Sequence, residues 1–385
     1  MNTLTNPQWR NVRLGDIGQS LIGLTYSPSN VKRSGTLVLR SSNIQDGELA
    51  FDDNVYVDCA IPEKIRTREN DILICVRNGS RRLIGKSVIL DRRVSGQTFG
   101  AFMAVYRSDL NPFLRYFFQS DDFKRQIDEH LGATINQITN ESLNGFVVTL
   151  PSKSEQQAIT ERLQDVDRLI ATLKRLISKK YAIKQGMMQE LLTGRTRLPG
   201  FNRPWHEKLL GDLTRIKTGS RNNQDKVSSG AYPFFVRSQT VERIDTYSYS
   251  GEAVLIPGEG GIGEIFHYIN GCHEVHQRVY RISDFSGISG KFAFYYLQQF
   301  FKDHALRNTV KATVDSIRLP IIQSFKMIIP GSIDEQTAIA ALLDDTLSEI
   351  DTLERRLESA RNIKQGMMQE LLTGRTRLPV EEVSS

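Results

Sequence analysis

The chain has 385 residues, of which 39% are hydrophobic and 24% charged, with only 12 prolines, a composition that excludes disorder and gives room for two hydrophobic cores. No window approaches 18 consecutive apolar residues, and the opening MNTLTNPQWRNVRLGD lacks the basic and apolar regions of a secretory signal, so a membrane protein is not expected and the cytoplasm is the expected compartment. The odd cysteine count (Cys59, Cys75, Cys272) argues against a disulfide framework and the spacing against a metal site, while the net charge of +6 favours a polyanionic partner without requiring one.

Taken in chain order, short β-type runs come first: VLR at Val38–Arg40, DILICV at Asp71–Val76, KSVIL at Lys86–Leu90 and AFMAVYR at Ala101–Arg107, each bounded by turn residues. An aromatic, helix-like stretch, Phe113–Gln119, closes this part as expected core. Next comes a long helix, in which Ile159, Leu163, Val166, Ile170, Leu173 and Ile177 step by 4-3-4-3-4. Ser154 is its expected N-cap; Thr193-Gly194 and then Pro199 mark its end. Strands follow again at Pro233–Arg237, Glu252–Pro257 and Gln277–Ile282, then an aromatic stretch at Phe292–Gln298. A second helix carries Ile339, Leu343, Thr346, Ile350, Leu353 and Leu357 at the same steps, with Asp334 as its expected cap and Thr373-Gly374 and Pro379 as its stop.

This order is a tandem duplication. IKQGMMQELLTGRTRLP occurs at Ile183–Pro199 and, letter for letter, at Ile363–Pro379, a shift of 180. Phe113, Tyr116, Gln119, Ala133, Thr134, Ile138, Phe146 and Pro151 recur as Phe292, Tyr295, Gln298, Ala312, Thr313, Ile317, Phe325 and Pro330. Both halves open alike, with Trp9 and Leu14-Gly15-Asp16 in one and Trp205 and Leu210-Gly211-Asp212 in the other. The expected division is 1–151, a globular domain; 152–198, a helical spacer; 199–330, a second globular domain; 331–380, a second helical spacer; and 381–385, a tail.

The expected fold class is α+β: two tandem-duplicated globular domains separated by two long helices that form an antiparallel coiled coil with pseudo-two-fold symmetry. A helix from Glu155 to Leu192 spans roughly 55–60 Å at about 1.5 Å per residue. Packing of each helix on its own domain is the plainer alternative. Gly186 and Gly366, inside the helical pattern, suggest close backbone approach or a break near the helix end. Identical helical ends imply two equivalent docking sites, whereas diverged globular parts imply different ligands.

The duplicated domains, each followed by a heptad helix ending KQGMMQELLTGRTRLP, closely resemble the specificity subunits of type I restriction–modification enzymes over essentially the whole chain. The resemblance implies two target-recognition domains that bind the halves of a bipartite double-stranded DNA target, with the helices setting the gap in a phage-defence complex. It also implies two DNA adenine methyltransferase subunits docked on the helical regions, at Gln185, Met188, Leu192, Gln365, Met368 and Leu372, and endonuclease/translocase subunits joining them. S-adenosylmethionine, ATP and magnesium are then expected in the partners, with no cofactor, metal or catalytic residue in this chain.

Two glycine-containing loops follow matched strands: Arg77–Lys86 and Pro257–Glu264. Arg77, Arg81, Arg82 and Lys86 suit phosphate or guanine contact, and Asn78 suits adenine. An ordinary solvated hairpin would look the same, and Glu259 weakens a phosphate role for the second loop. Arg40, Ser41 and Asn43, and in the second half Arg237, Ser238 and Gln239, are further candidates for base edges or for strand-end turns. Thr134, Asn136, Lys311 and Thr313 are candidate phosphate contacts. His273-Glu274-Val275-His276 has the wrong spacing for a zinc-protease helix. GEGGIG lacks the lysine of a phosphate-binding loop, and neither a methyltransferase Asn/Asp-Pro-Pro-Tyr/Phe motif nor a nuclease cluster is evident, so an enzyme is not expected. A non-catalytic coiled-coil scaffold, or the specificity subunit of a related defence complex without the usual endonuclease, remain the alternatives.

Overall fold

The computed structural model describes residues 9–131, 136–308 and 316–379. The chain forms two compact units: residues 1–172 with 356–385, and residues 173–355. Each is an α+β unit that takes a share of both long helices.

In the first unit an antiparallel sheet runs in the order Gln19–Ile22, Met103–Arg107, Ile72–Cys75, Ser87–Ile89. Its two central strands are buried on both faces, which is why they read as unbroken apolar runs rather than as alternation. Ile72, Ile74, Ala104 and Tyr106 face a core shared with helices Asn111–Phe117 and Asp121–His130. Leu73, Cys75, Met103 and Val105 face a second core beneath the small sheet that contains Thr36–Leu39. Ser120 separates the two helices and caps the second, its Oγ accepting from the Phe123 N–H at 3.2 Å.

The second unit has one six-stranded sheet, in the order Arg215–Thr218, Val279–Ser283, Tyr249–Pro257, His267–Val275, Tyr232–Phe235, Val241–Ile244. Val254 and Ile256 face the core under helix Gly290–Asn308; Ala253 and Leu255 face the other side. The strand His267–Val275, which contains His267 and His273, lies outside the expected β-type runs.

In both units the opening segment pairs with the closing one. Arg10–Arg13 lies antiparallel to Val147–Leu150, and Trp205–Leu209 to Lys326–Pro330. The leucine after each opening strand, Leu14 or Leu210, is fully buried.

The long helices are Lys153–Leu191 and Ile333–Leu372. The first starts earlier than expected: the Ser152 hydroxyl, not that of Ser154, accepts from the Glu155 N–H at 3.3 Å. Gly194 and Gly374 adopt left-handed backbone (φ +69° and +71°) at the stops, as C-terminal glycines do. Every residue of both 4-3 seams is buried or half-buried. Within the first unit Ile159 and Leu163 share a core with Met368 and Leu371; within the second, Ile339 and Leu343 share one with Met188, Leu191 and Leu192. The strands of this coil run antiparallel, as Asp167 pairs with Lys364 (2.8 Å) while Glu155 pairs with Arg377 (2.8 Å). In the second unit Tyr181 donates to Glu354 (2.9 Å) and Arg197 to Glu335 (2.6 Å).

Tyrosines matched across the duplication clip each globular part to a long helix. Tyr116 Oη donates to Asp167 (2.9 Å) and Tyr295 Oη to Asp344 (2.6 Å). Burial, foremost, and the neighbouring carboxylates raise both phenols well above their ordinary range, so they stay protonated donors. Gly186 and Gly366 overturn an expectation: a Cβ there would meet nothing within 4 Å, and both helices continue unbroken through them.

Candidate nucleic-acid interface

In the first unit three of the candidate segments meet at the end of strand Ile72–Cys75. Val76 anchors the meeting point: its N–H donates to the Phe102 carbonyl (3.1 Å), and its carbonyl accepts from the Ile138 N–H (2.8 Å). Arg77 therefore lies in a bridge with Gln137. Asn136 reaches the Gly79 carbonyl (3.5 Å), and Asn78 donates to the Ser41 hydroxyl (3.5 Å) while its Oδ1 accepts from the Ser80 N–H (3.0 Å). The Arg77 guanidinium lies over the Phe102 ring, 5.1 Å from its centre, and Phe102 is 58% exposed. An aromatic side chain so exposed, under a cation with no carboxylate paired to it among the described residues, is a feature that sequence reasoning missed.

The remaining candidates divide. Arg82 is exposed and Lys86 half-buried. Arg81 is turned onto Asp128, whose carboxylate lies 3.5 Å away, and Arg40 onto Asp53 at 2.8 Å. Asn43 is a correction. It is fully buried and holds its own turn together, accepting from the Arg40 N–H (2.9 Å) and donating to the Ala50 carbonyl (2.9 Å) and to Asn54 (3.1 Å). No side-chain atom is left to reach a base. Thr134 lies outside the described residues, as do Lys311 and Thr313 of the second half.

The second unit repeats the backbone arrangement with other side chains. Gly258 donates to the Arg278 carbonyl (2.8 Å) and accepts from the Ile317 N–H (2.8 Å), and Glu259 is bridged to Ser316. Glu259 does not stand as a bare acid: Arg237 approaches one carboxylate oxygen (3.3 Å) and Arg278 the other (3.2 Å). Beside them lies a cleft of about 320 Å³ lined by Arg237, Ser238, Glu259 and His276, flanked by the amides of Asn222 and Gln277. Gln239 is exposed, whereas Ser238 is engaged locally, with its hydroxyl on the Thr240 carbonyl (3.1 Å). Burial, with Arg237 and Arg278 adding to it, holds the His276 imidazole below its ordinary pKa, so it faces the cleft neutral. The GEGGIG glycines serve the backbone: Gly260, Gly261 and Gly263 all have φ near +68°, and a Cβ on Gly263 would meet the Lys302 backbone at 2.6 Å.

Of the six docking candidates, Met188, Leu192 and Met368 are buried in the core of their own units and Leu372 packs half-buried against one. A step of four along the helix puts each on the inward stripe, so the surface they would offer a partner is already taken. Gln185 and Gln365 are exposed, beside the open Gly186 and Gly366 and the exposed Ile183 and Ile363.

Comparison with known proteins places this arrangement. The family model of the type I restriction modification DNA specificity domain matches twice, at residues 6–179 and 202–361. The chain is 30% identical over 169 residues to the type I restriction enzyme EcoDI specificity subunit of Escherichia coli, which covers 44% of this chain and 37% of that one. It is 27% identical over 223 residues to the StySPI specificity subunit of Salmonella potsdam, covering 53% and 48%. The chain thus spans less than half the length of these relatives. A longer match, 25% identical over 420 residues, covers 96% of this chain and 94% of the putative MjaX specificity subunit of Methanocaldococcus jannaschii. In fold it is similar to the crystal structure of a type I restriction–modification S subunit from M. genitalium, at a TM-score of 0.62 with 16% identity, covering 96% of this chain and 98% of that one. With both halves matched by one model, the chain belongs to the family of type I restriction–modification DNA specificity domains.

Proposed function

We propose that this chain is the DNA-specificity subunit of a type I restriction–modification complex, each globular part binding one half of a bipartite double-stranded target. One observation carries the reading: segments matched across the duplication converge on the same backbone bridge in each unit, Arg77 with Gln137 and Glu259 with Ser316, and raise different side chains from it. A shared scaffold with exchanged side chains is what two recognition sites of different sequence require. The Arg82 and Lys86 charges supply the phosphate contact that holds register, and the antiparallel helices set the gap between half-sites.

The chain performs no chemistry in this reading. Two DNA adenine methyltransferase subunits dock on the helices, on the identical exposed faces that include Gln185 and Gln365, and endonuclease/translocase subunits complete the complex. S-adenosylmethionine belongs to the former, ATP and magnesium to the latter, and the assembly works in the cytoplasm. The test is single-molecule sequencing of adenine methylation in DNA from cells that express this chain with its cognate methyltransferase. Methylation at a split motif, lost when the chain is omitted, supports the reading. An assembled complex that leaves no chain-dependent methylation overturns it.

A further inference from the structure

The two units can be aligned by hydrogen bonds alone at the meeting point of the candidate segments. Val76 and Gly258 occupy the same place: each accepts from an isoleucine N–H (Ile138 or Ile317), and each donates to a carbonyl on the facing segment. The residue after each, Arg77 or Glu259, is therefore equivalent, and so are the owners of the facing carbonyls, Phe102 and Arg278. The sequence alignment cannot give this pairing, because the second copy is 17 residues shorter in its middle. At one place in the scaffold the first unit thus carries a cation on an aromatic ring, and the second a carboxylate held by arginines.

We propose that Arg77 with Phe102 and Glu259 with Arg278 are the specificity-determining pair of their respective units, the first reading a guanine and the second a cytosine. The proposal rests on the half-site reading above. Arg77 is exposed and unpaired with any carboxylate among the described residues, so its donors are available; a guanidinium presents two parallel N–H groups that match O6 and N7 of guanine. Phe102 is a positioning residue. Its ring fixes the plane of the guanidinium without consuming an N–H, which a carboxylate partner would do. Arg81 and Arg40, already turned onto Asp128 and Asp53, lack that freedom.

Glu259 is the reciprocal case. A carboxylate in a DNA interface meets repulsion from phosphates unless it is neutralised, and Arg237 and Arg278 neutralise it from either side. Each arginine engages a different oxygen, leaving acceptor positions on both for the N4 amino group of cytosine. The Asn222 and Gln277 amides line the adjoining cleft, with the Gln277 amide donating to the Asn222 oxygen.

The experiment uses the full chain assembled with its methyltransferase, with the methylated motif read by sequencing. Phe102→Ala and Arg77→Lys are expected to relax one guanine position in one half of the wild-type motif, methylation at sites with another base there rising by about tenfold or more, while the other half is unchanged. Glu259→Gln is expected to relax one cytosine in the other half. Phe102→Tyr, which keeps the ring, is expected to recover most of the discrimination that Phe102→Ala loses. Phe102 and Arg77 are exposed, so a melting temperature equal to wild type checks that specificity and not folding has changed. An unaltered motif in Phe102→Ala and Glu259→Gln overturns the inference while leaving the half-site reading intact, as does a uniform fall in methylation at every site. If the wild-type complex assembles and directs no methylation, the half-site reading fails and the inference falls with it.

Discussion

Arg377 closes its guanidinium on both carboxylate oxygens of Glu155, 222 positions earlier in the chain, and Glu155 is 1% exposed. The same acid accepts from the Trp9 indole N–H (3.0 Å), and the Arg377 guanidinium lies 5.4 Å from the centre of the Trp9 ring. In the second unit Arg197 grips Glu335 in the same bidentate way. The identity of the two GRTRLP tails thus has a structural cause, independent of any partner: each must satisfy a buried glutamate at the start of the other long helix. Arg377→Met keeps the apolar stem but strands that carboxylate. It is expected to lower the melting temperature of the first unit clearly more than Arg375→Met, whose nearest carboxylate, Glu370, lies 3.9 Å away. Equal melting temperatures for the two variants would refute the role given to the pair.

The coil seam makes a symmetrical prediction. Leu163 and Leu343 are both fully buried, each in a core that joins the two helices. Leu163→Ala and Leu343→Ala should each cost about 2–5 kcal/mol, seen as a lower urea midpoint. A loss below about 0.5 kcal/mol, the level of a surface substitution, would mean that the seam does not pack as described.

Acid should weaken the second unit. His273 is fully buried, its Nδ1 bonded to the Gly271 carbonyl (2.9 Å), and desolvation above all, with the Arg281 charge, holds its pKa below the ordinary 6.5. The unfolded chain therefore takes up the proton first as pH falls. The contribution is full above about 6.5 and is lost as pH drops from there through the lower folded value. The buried His276 shifts in the same direction. The urea midpoint should fall between about pH 7.5 and about pH 5.5, and His273→Gln, which retains an amide donor, should flatten that slope. A slope unchanged in the variant would assign the acid sensitivity elsewhere.

Arg82 tests the electrostatic half of the proposed function. It is exposed, with no carboxylate paired to it among the described residues. Arg82→Ala is expected to weaken binding to cognate and unrelated duplexes alike and to lower the slope of log affinity against log salt by about 1. Loss confined to the cognate duplex would make Arg82 a base reader instead.

Much of the fold is legible in the order of residues, and for physical reasons. Ile72–Cys75 and the Ala253–Pro257 part of strand Tyr249–Pro257 announce themselves because two-sided burial demands continuous apolar side chains, and the helices because a 4-3 spacing has to be covered. The strand Arg10–Arg13 is silent: it is mostly exposed, charged at both ends, and its partner lies well over a hundred residues away. His267–Val275 is masked by Gly271 and by polar histidines, of which His267 and His273 serve as buried packing against Phe235 and Tyr249.

The candidate interface divides along the same line. Arg77, Arg82 and Arg237 stand out by charge, and the structure leaves them at the surface. Asn43 looked equally suited to a base edge, yet its hydrogen bonds are spent on its own turn. Phe102 and Arg278 carried no local signal, since only a backbone hydrogen bond from the neighbouring strand brings them to Arg77 and Glu259. Met188 and Met368 were drawn to the surface by the identity of their segments, whereas helical phase turns them inward.

The grip of Arg377 on Glu155 also sets an order of events during synthesis. At roughly 5–20 residues per second, a ribosome needs on the order of tens of seconds to travel from one to the other. Throughout that interval the first domain has its sheet, its aromatic core and the Trp9 indole, but not the arginine that neutralises the acid. Its Glu155 stays hydrated until the strands of the second domain have left the ribosome. Of the two domains, the one translated earlier is therefore the one completed later, and it waits unfinished while the other is made.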